Sequence, residues 1–210
     1  MRQFGTYHTY LLVGKYFLLP LHAGMNTRAE IIRLGDSFIR EKGYNAFSFA
    51  DISKQLNIKN ASVHYHFPTK TALGLAIVEE HHNRLEQLKA KTKSKDPVEK
   101  LNAFLSIYSV AKAENKICIV GSLATDFYTV EPEMQNELKK LADSILKWVI
   151  EILKEGKNRS VFRFSTTERT KALMIIANML ASVQLTRLTN ADDFKKMTEN
   201  ITTDLIRQVK

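Results

Sequence analysis

The residues between Phe49 and Lys70 have the types and spacing that suit contact with a nucleic acid. Basic, polar and aromatic side chains are interspersed in this segment, and no acidic residue occurs between Asp51 and Glu79. A stretch without carboxylates can lie against phosphates without repulsion. The chemistry that it offers is noncovalent: cations and backbone N–H groups for phosphates, and polar or aromatic tips for base edges.

The outward-facing residues of this segment are the candidates for contact with DNA. Small residues at the start of the second of its two expected helices would let that helix enter the major groove closely. Lys70 stands at the first turn of the next helix, where a cation and free backbone N–H groups together suit a phosphate. The predicted DNA contacts are Thr27, Arg28, Ser48, Lys59, Asn60, Ala61, Ser62, His64, Tyr65, His66 and Lys70.

Two short helices joined by a tight turn are the elements that must position these residues. A Ser-x-x-Asp capping box at Ser48 starts a helix that reaches about Leu56. After a four-residue turn, Asn60 can cap a second helix that continues through Tyr65. Such a pair cannot bury itself, so a third helix, capped by Thr27, is expected to pack on it. The apolar residues expected to face inward are Ile52, Leu56, Ile58 and Val63.

The stretch from Thr27 to about His81 resembles the DNA-binding head of TetR-type transcriptional repressors. Its strongest part is the run Val63-His-Tyr-His-Phe-Pro-Thr-Lys70. Two positions depart from the common pattern, because many members carry Tyr where this chain has His64, and Gly or Ser where it has Asn60. Both positions set sequence preference, so they affect which operator is read. The resemblance is carried by Ile31, Phe38, Gly43, Tyr44, Ser48, Ile52, Ala61, Val63, Tyr65, His66, Phe67, Lys70 and Leu73.

The resemblance implies an all-α fold with two parts. An N-terminal three-helix head would hold the helix-turn-helix, and a larger C-terminal helical domain would bind a ligand and dimerise through its last two long helices. The implied function is that of a homodimeric, sequence-specific repressor on a palindromic double-stranded DNA operator. A small-molecule effector would release it. Repression, as opposed to activation, follows from the resemblance alone.

The Lys-rich stretch 89–96 is the predicted boundary between the two parts, residues 25–88 and 97–210. Residues 1–24 are predicted to be a leader or a non-essential extension, because a well-formed helix starts just after Met25. A secretion signal is the alternative for them, and the basic half that follows argues against export. One further helix is predicted to start at Thr69 and another at Pro97. A third is predicted to end at Gly156, and the last two to span about 167–189 and 192–209.

The distribution of charge excludes some classes of function. Residues 1–95 hold 14 Lys and Arg against 7 Asp and Glu, whereas residues 96–210 hold 17 against 15. A solvated basic face explains the positive charge of the first half equally well. A nonspecific DNA-binding protein would also account for that charge, but it leaves the near-neutral second half unexplained. No P-loop, GxGxxG or nucleophile–base constellation stands out, so we predict no enzyme, no cofactor and no metal site. The apolar stretch near the N-terminus is too short to span a membrane.

Aromatic and polar residues of the second half are candidates for a ligand pocket. Aromatic side chains at helical spacing more often belong to the ordinary core, so these residues suit either a ligand pocket or the core. Asn178 and Gln184 interrupt an apolar helix, and they suit either a pocket or a dimer interface. The predicted ligand contacts are Phe104, Tyr108, Cys118, Phe127, Trp148, Met174 and Asn178.

The cysteine and the paired histidines have ordinary structural interpretations. Cys118, the single cysteine, rules out a disulfide within the chain, fits a reducing cytoplasm and is predicted to be a buried small hydrophobe rather than a nucleophile. His81 and His82 point to different sides of a helix, which favours a solvated surface over a metal site. His66 is expected to pack or hydrogen-bond at the end of its helix.

Overall fold

Nine α-helices make up most of residues 26–206, which are the residues that the computed structural model describes. This range contains no β-strand, and the all-α prediction is confirmed. No helix within it is long and apolar enough to cross a membrane. The predicted extension at 1–24 lies outside it. The helices are α1 (Thr27–Lys42), α2 (Phe49–Leu56), α3 (Asn60–His66), α4 (Lys70–Thr92), α5 (Pro97–Ala113), α6 (Ile119–Thr125), α7 (Pro132–Asn158), α8 (Glu168–Leu185) and α9 (Ala191–Ile206).

The caps of α1 and α2 show how local chemistry starts the head. Asn26, rather than the predicted Thr27, caps α1, because its side-chain oxygen accepts a hydrogen bond from the backbone N–H of Arg28 at 3.0 Å. The capping box at Ser48 is confirmed: its hydroxyl accepts from the Asp51 N–H, and the Asp51 carboxylate accepts from the Ser48 N–H. Each bond satisfies a donor that the first turn of a helix leaves free.

The turn between α2 and α3 is one residue shorter than predicted. Asn57 closes α2 in the left-handed conformation, with φ of 53°. The extended Lys59 therefore takes the N-cap position of α3, and Asn60 is already helical, so the predicted Asn60 cap is wrong. Thr69 does cap α4, and its hydroxyl accepts from the N–H of Ala72 at 3.0 Å.

The core of the head forms where α2 and α3 pack on α1. Ile52 and Val63 are fully buried, and Leu56 and Ile58 are half-buried against the same core, as their pattern predicted. Burial of one such side chain contributes on the order of 1.5–3 kcal/mol. The start of α4 covers the other side of α1. The fully buried residues that α1 and α4 add are Ile31, Ile39, Leu73 and Ile77.

Helix α4 runs through the first half of the predicted boundary at 89–96. It continues to Thr92, whose side chain is buried, because the Lys-rich residues before it are good helix formers. Only four residues then link it to α5. Asp96 caps α5 in a second capping box with Glu99, and Pro97 occupies the first helical position. Helix α4 therefore packs on both α1 and α7.

Helix α7 is the centre of the C-terminal part and contacts α4, α5, α6 and α8. It does not end at Gly156 but continues to Asn158. Gly156 serves close packing instead, because a Cβ atom there would overlap the ring of the buried Phe162. Helix α8 follows Thr167, whose hydroxyl accepts from the Thr170 N–H. It ends at Leu185, four residues earlier than predicted.

Candidate DNA-binding surface and ligand cavity

A shallow groove of about 350 Å³ lies between the start of α1 and α3. Six of the eleven predicted DNA contacts line it together with Ile58, and none of its residues is acidic. The groove exists because α3 crosses α1 next to the cap at Asn26. The six are Thr27, Lys59, Ala61, Ser62, Tyr65 and His66.

The two aromatic tips of α3 point to different sides. The side chain of Tyr65 is 84% exposed, and its ring meets that of His66 edge-on with 5.2 Å between centroids. His64 is also exposed, but its ring packs edge-on against Phe49 of α2 at 4.9 Å. Successive residues of a helix diverge by about 100°, so the two tips can reach different bases.

The remaining candidates surround the groove. Arg28 is exposed and holds its guanidinium 5.0 Å from the centroid of the buried Phe67 ring. Ser48 is exposed at the start of α2, and Asn60 is exposed at the start of α3. Both therefore lie at helix N-termini, where backbone N–H groups favour anions.

The ammonium group of Lys70 is turned towards the protein. Its Nζ donates to the backbone oxygen of Phe47 at 2.5 Å and lies over the rings of Tyr44 and Phe47, 4.7 and 4.3 Å from their centroids. Burial lowers the pKa of Lys70, while the carboxylates of Asp126 and Asp51 act in the opposite direction. The side chain thus fastens the loop after α1 to the start of α4.

A cavity of about 440 Å³ lies between α4, α5, α6 and α7. Three of the seven predicted ligand contacts line it, namely Phe104, Tyr108 and Cys118, and all three are buried. Burial raises the pKa of Cys118, so its thiol stays protonated and behaves as the small hydrophobe that we predicted. Most of the other walls are aliphatic: Leu85, Leu88, Ile107, Ala111, Ile119, Val120, Leu141 and Ile145.

The other four predicted ligand contacts do not line this cavity. Trp148 packs behind Phe104, with 6.1 Å between ring centroids, and faces a separate depression. The ring of Phe127 meets that of the exposed Tyr128 edge-on after α6. Met174 and Asn178 lie on the exposed side of α8. Helix α8 has apolar positions on both sides, and its packing against α7 determines which side is buried.

A buried ionic cluster adjoins the cavity where the head meets the C-terminal part. Asp36 and Arg40 of α1 form an ion pair of 3.2 Å, and the Nε2–H of His81 in α4 donates to the other Asp36 oxygen at 2.6 Å. Burial alone would raise the pKa of Asp36, but the hydrogen bond from His81 and the charges of His81 and Arg40 lower it to about 2. Arg40 also donates through Nε to the backbone oxygen of Ile117 at 3.0 Å.

The partial burial of His81 and its bond to Asp36 correct the prediction of a solvated surface for the two histidines. His81 lies one turn after Ile77 and one turn before Leu85, on the side of α4 that faces the core. That spacing was visible in the sequence, and it separates His81 from its neighbour. His82 points away, with its Nε2 atom 3.8 Å from Glu86. Within the described range, no three His, Cys, Asp or Glu side chains converge to hold a metal ion.

A second set of bonds fastens α1 to the segment around α6. The Ser122 hydroxyl donates to the backbone oxygen of Ile39 at 2.5 Å, and the Ile117 N–H donates to that of Arg40 at 3.0 Å. The Asp126 carboxylate accepts from the Tyr44 N–H at 2.8 Å. Sequence reasoning missed this junction, because its partners lie about 80 residues apart.

An exposed apolar stripe runs along α8 and just beyond it. Leu173, Met174, Leu185 and Leu188 are all exposed, and Leu188 is 86% exposed. Small or amide side chains fill the intervening exposed positions, which allows another helix to approach closely. Helix α9 presents mostly charged and polar residues and buries Phe194 and Leu205 against its own chain. The intervening exposed residues of α8 are Ala177, Asn178, Ala181 and Gln184.

Comparison with known proteins places this geometry among DNA-binding regulators. Residues 31–77 match the family model described as "Bacterial regulatory proteins, tetR family". The repressor DhaR of a Mycobacterium species is 21% identical over 160 residues, which cover 74% of this chain and 80% of DhaR. The repressor NemR of Escherichia coli is 19% identical over 172 residues, 77% of this chain and 84% of NemR.

Solved structures extend the likeness to the C-terminal part. A TetR transcriptional regulator from Legionella pneumophila is 30% identical, with a TM-score of 0.76 over 86% of this chain and 97% of its own. A TetR-family regulator from Agrobacterium tumefaciens is 26% identical, with a TM-score of 0.79 over 86% of this chain and 98% of its own. The head and the cavity-bearing part therefore share one architecture with these proteins.

Proposed function

Because this chain belongs to the TetR family of bacterial regulatory proteins, and is thereby a DNA-binding transcription regulator, we propose that it is a dimeric repressor that a small molecule releases from a palindromic operator. The observation that carries the proposal is the path of α4. Its first turn adjoins the DNA-binding surface, and its later residues Leu85 and Leu88 line the cavity. One rigid helix thus links the two sites. We expect the protein to act in the cytoplasm, where its operator lies.

Helix α3 is the element that we place in the major groove. Ala61 and Ser62 at its start are small, so the helix can approach closely, and Tyr65 and His64 can reach base edges. Lys59 and Arg28 are exposed cations beside it that suit phosphates. The absence of acidic side chains in the groove supports this placement.

The start of α4 supplies a further phosphate contact in this proposal. The backbone N–H groups of Lys70 and Thr71 donate to no acceptor within residues 26–206, as expected for the first turn of a helix. Such groups, with the positive end of the helix dipole, bind anions. The charge of Lys70 lies close by even though its ammonium group is bonded to Phe47.

Dimerisation would use the apolar stripe on α8. A single head offers one recognition helix, which gives too few base contacts for specificity. Two heads related by a two-fold axis would read half-sites about 34 Å apart, one turn of DNA. The stripe at Leu173, Met174, Leu185 and Leu188 is the kind of exposed apolar patch that marks an interface, and Asn178 and Gln184 could hydrogen-bond across it.

The cavity is the site that we assign to the effector. Its volume of about 440 Å³ falls within the range of roughly 300–1,000 Å³ for small-molecule sites. Two structurally similar regulators, each 17% identical, were crystallised with small molecules: one from Saccharomonospora viridis with choline, and FadR of Bacillus subtilis with stearoyl-CoA. A coupling of about 1–3 kcal/mol between the sites would lower operator affinity about 5- to 150-fold.

Selection of bound DNA from a random pool tests the proposal with the full chain. We expect enrichment of an inverted repeat that binds two protomers, and a footprint with two halves one helical turn apart. A small-molecule screen that follows operator release by fluorescence anisotropy then tests the effector. Equal affinity for the selected and a shuffled sequence would contradict specific binding, and the absence of any releasing compound would contradict control by a ligand.

A further inference from the structure

We propose that the effector is an amphipathic anion, whose carboxylate lies at the Arg40, His81 and Tyr108 end of the cavity and whose apolar body lies against Phe104. This inference rests on the proposed function, since it assigns a chemical class to the effector of that same cavity. Three properties of the lining support it: the sign of its charges, a hydroxyl that opens onto the cavity without a protein partner, and its aliphatic walls.

The lining of the cavity holds basic side chains and no carboxylate. Arg40, His81, Arg84 and Lys91 contribute to the lining, whereas no Asp or Glu does. The carboxylates that pair with these bases lie outside the lining: Asp36 and Glu114 beside Arg40, and Glu80 beside Arg84. A cationic ligand would find no counter-charge among these walls. An anion would find several, in surroundings less polar than water, where charges interact more strongly.

Tyr108 adds a hydrogen-bond donor that the protein leaves unused. Its side chain is only 2% exposed and lines the cavity, yet its hydroxyl forms no hydrogen bond with any residue in the described range. No fully enclosed polar side-chain atom in the described range lacks a hydrogen-bond partner, so this unbonded hydroxyl opens onto the cavity, where it can donate to a ligand or to solvent. Burial raises the pKa of Tyr108 well above its ordinary value, which keeps the proton available for donation.

Tyr108 lies at the same end of the cavity as Arg40 and His81. Arg40 donates to the backbone oxygen of Ile117, and the next residue, Cys118, is close enough to Tyr108 for their charges to interact. Asp36 joins Arg40 to His81. Most of the other lining residues are aliphatic or aromatic, so a ligand that fits both regions is charged at one end and apolar at the other.

The position of the anion would also explain how binding reaches the head. Arg40 and His81 now share the carboxylate of Asp36, which ties α1 to α4. A ligand carboxylate would compete with Asp36 for the same donors and loosen that tie. A ligand shifts an equilibrium only through its difference in affinity for the two states, and this competition supplies one.

Three probes with eight carbons each test the charge of the ligand: octanoate, octanamide and octylamine, each titrated into the full-length protein by calorimetry at neutral pH. We expect octanoate to bind at least about tenfold more tightly than the other two, since hydrogen bonds to a charged group are stronger than those to a neutral one. Equal or tighter binding of octanamide or octylamine, or no binding of octanoate at millimolar concentration, would overturn the inference.

Two variants test the residues. Tyr108→Phe keeps the ring and should lower the affinity for octanoate about tenfold. His81→Gln keeps a donor to Asp36 but should remove much of the preference for octanoate over octanamide. Arg33→Gln removes an exposed cation of α1 and serves as the matched control, because within residues 26–206 Arg33 pairs only with Glu30. Unchanged octanoate affinity in Tyr108→Phe and His81→Gln, with unfolding temperatures like that of the control, would contradict the assignment.

Operator release by the same probes separates this inference from the proposed function. Octanoate that binds selectively but leaves the operator complex intact supports the anion site and contradicts ligand control. Release by octanamide or octylamine, but not by octanoate, supports ligand control and overturns the anion site.

Discussion

The Nε2 atom of His81 in α4 lies 2.6 Å from the Oδ1 atom of Asp36 in α1. This bond joins the helix on which the head is built to the helix that reaches the cavity. Both side chains are largely removed from solvent, and Arg40 completes the neutralisation of the Asp36 charge. Buried ions are costly when unpaired, so the bond holds the two helices in one relative position.

Replacing Asp36 by Asn should destabilise the protein by about 2 kcal/mol at pH 7. The pKa of Asp36 falls from 3.8 to about 2 on folding, and each unit corresponds to roughly 1.4 kcal/mol. Because the folded pKa is depressed, this contribution is complete above about pH 4 and disappears as the pH falls towards about 2. Urea unfolding of both proteins across this range measures it.

Asp143→Asn is the control for this prediction, since Asp143 forms an exposed ion pair with Lys147 on α7. Exposed pairs contribute about 0–1 kcal/mol, so its stability should stay close to that of the parent chain. The same free energy of unfolding for Asp36→Asn and the parent at pH 7 would show that the cluster does not stabilise the fold.

Lys70→Ala should weaken binding to every DNA sequence by a similar factor. The slope of log affinity against log salt should fall by about 0.9, the share of one phosphate contact. Loss of the bond to Phe47 should also lower stability slightly, so the comparison uses temperatures well below unfolding. Lys147→Ala removes an exposed cation of α7 and should leave the slope unchanged. An unaltered slope in Lys70→Ala would remove Lys70 from the phosphate contacts.

Substitutions at Tyr65 and His64 should change which operators are preferred. The Tyr65 side chain is 84% exposed, so Tyr65→Ala should reduce specific affinity by about 1–3 kcal/mol with little effect on stability. Tyr128→Ala is a matched control, because Tyr128 is 93% exposed and lies after α6. Sequencing of DNA selected by each variant measures the change. The same selected operator for His64→Ala and the parent chain would argue against base contact by His64.

Leu185→Glu should convert the proposed dimer into a monomer. A charge in the middle of an apolar interface loses its hydration without a partner, whereas the same residue in a monomer faces water. Sedimentation velocity at micromolar concentration measures the mass, and Tyr128→Glu introduces the same charge at an exposed aromatic away from α8. A parent chain that sediments as a monomer would contradict the proposed α8 interface.

The sequence by itself determined the elements that depend on neighbouring residues. The capping box at Ser48, the cap at Thr69 and the start of α5 at Pro97 were all predicted, because their bonds join residues three apart. The run from Val63 to Lys70 likewise identified the family, since a helix-turn-helix is read from a single continuous segment.

Only the tertiary structure decided which side of α8 is buried and which residues of distant helices meet. Met174 and Phe104 are both apolar residues on helices, yet Met174 is exposed on α8 while Phe104 lines the cavity. His81 and His82 are adjacent, yet only His81 meets Asp36, which lies 45 residues earlier in the chain. Periodicity shows that a helix has an apolar side, but burial depends on where distant helices pack, and that is decided by contacts which no local pattern contains.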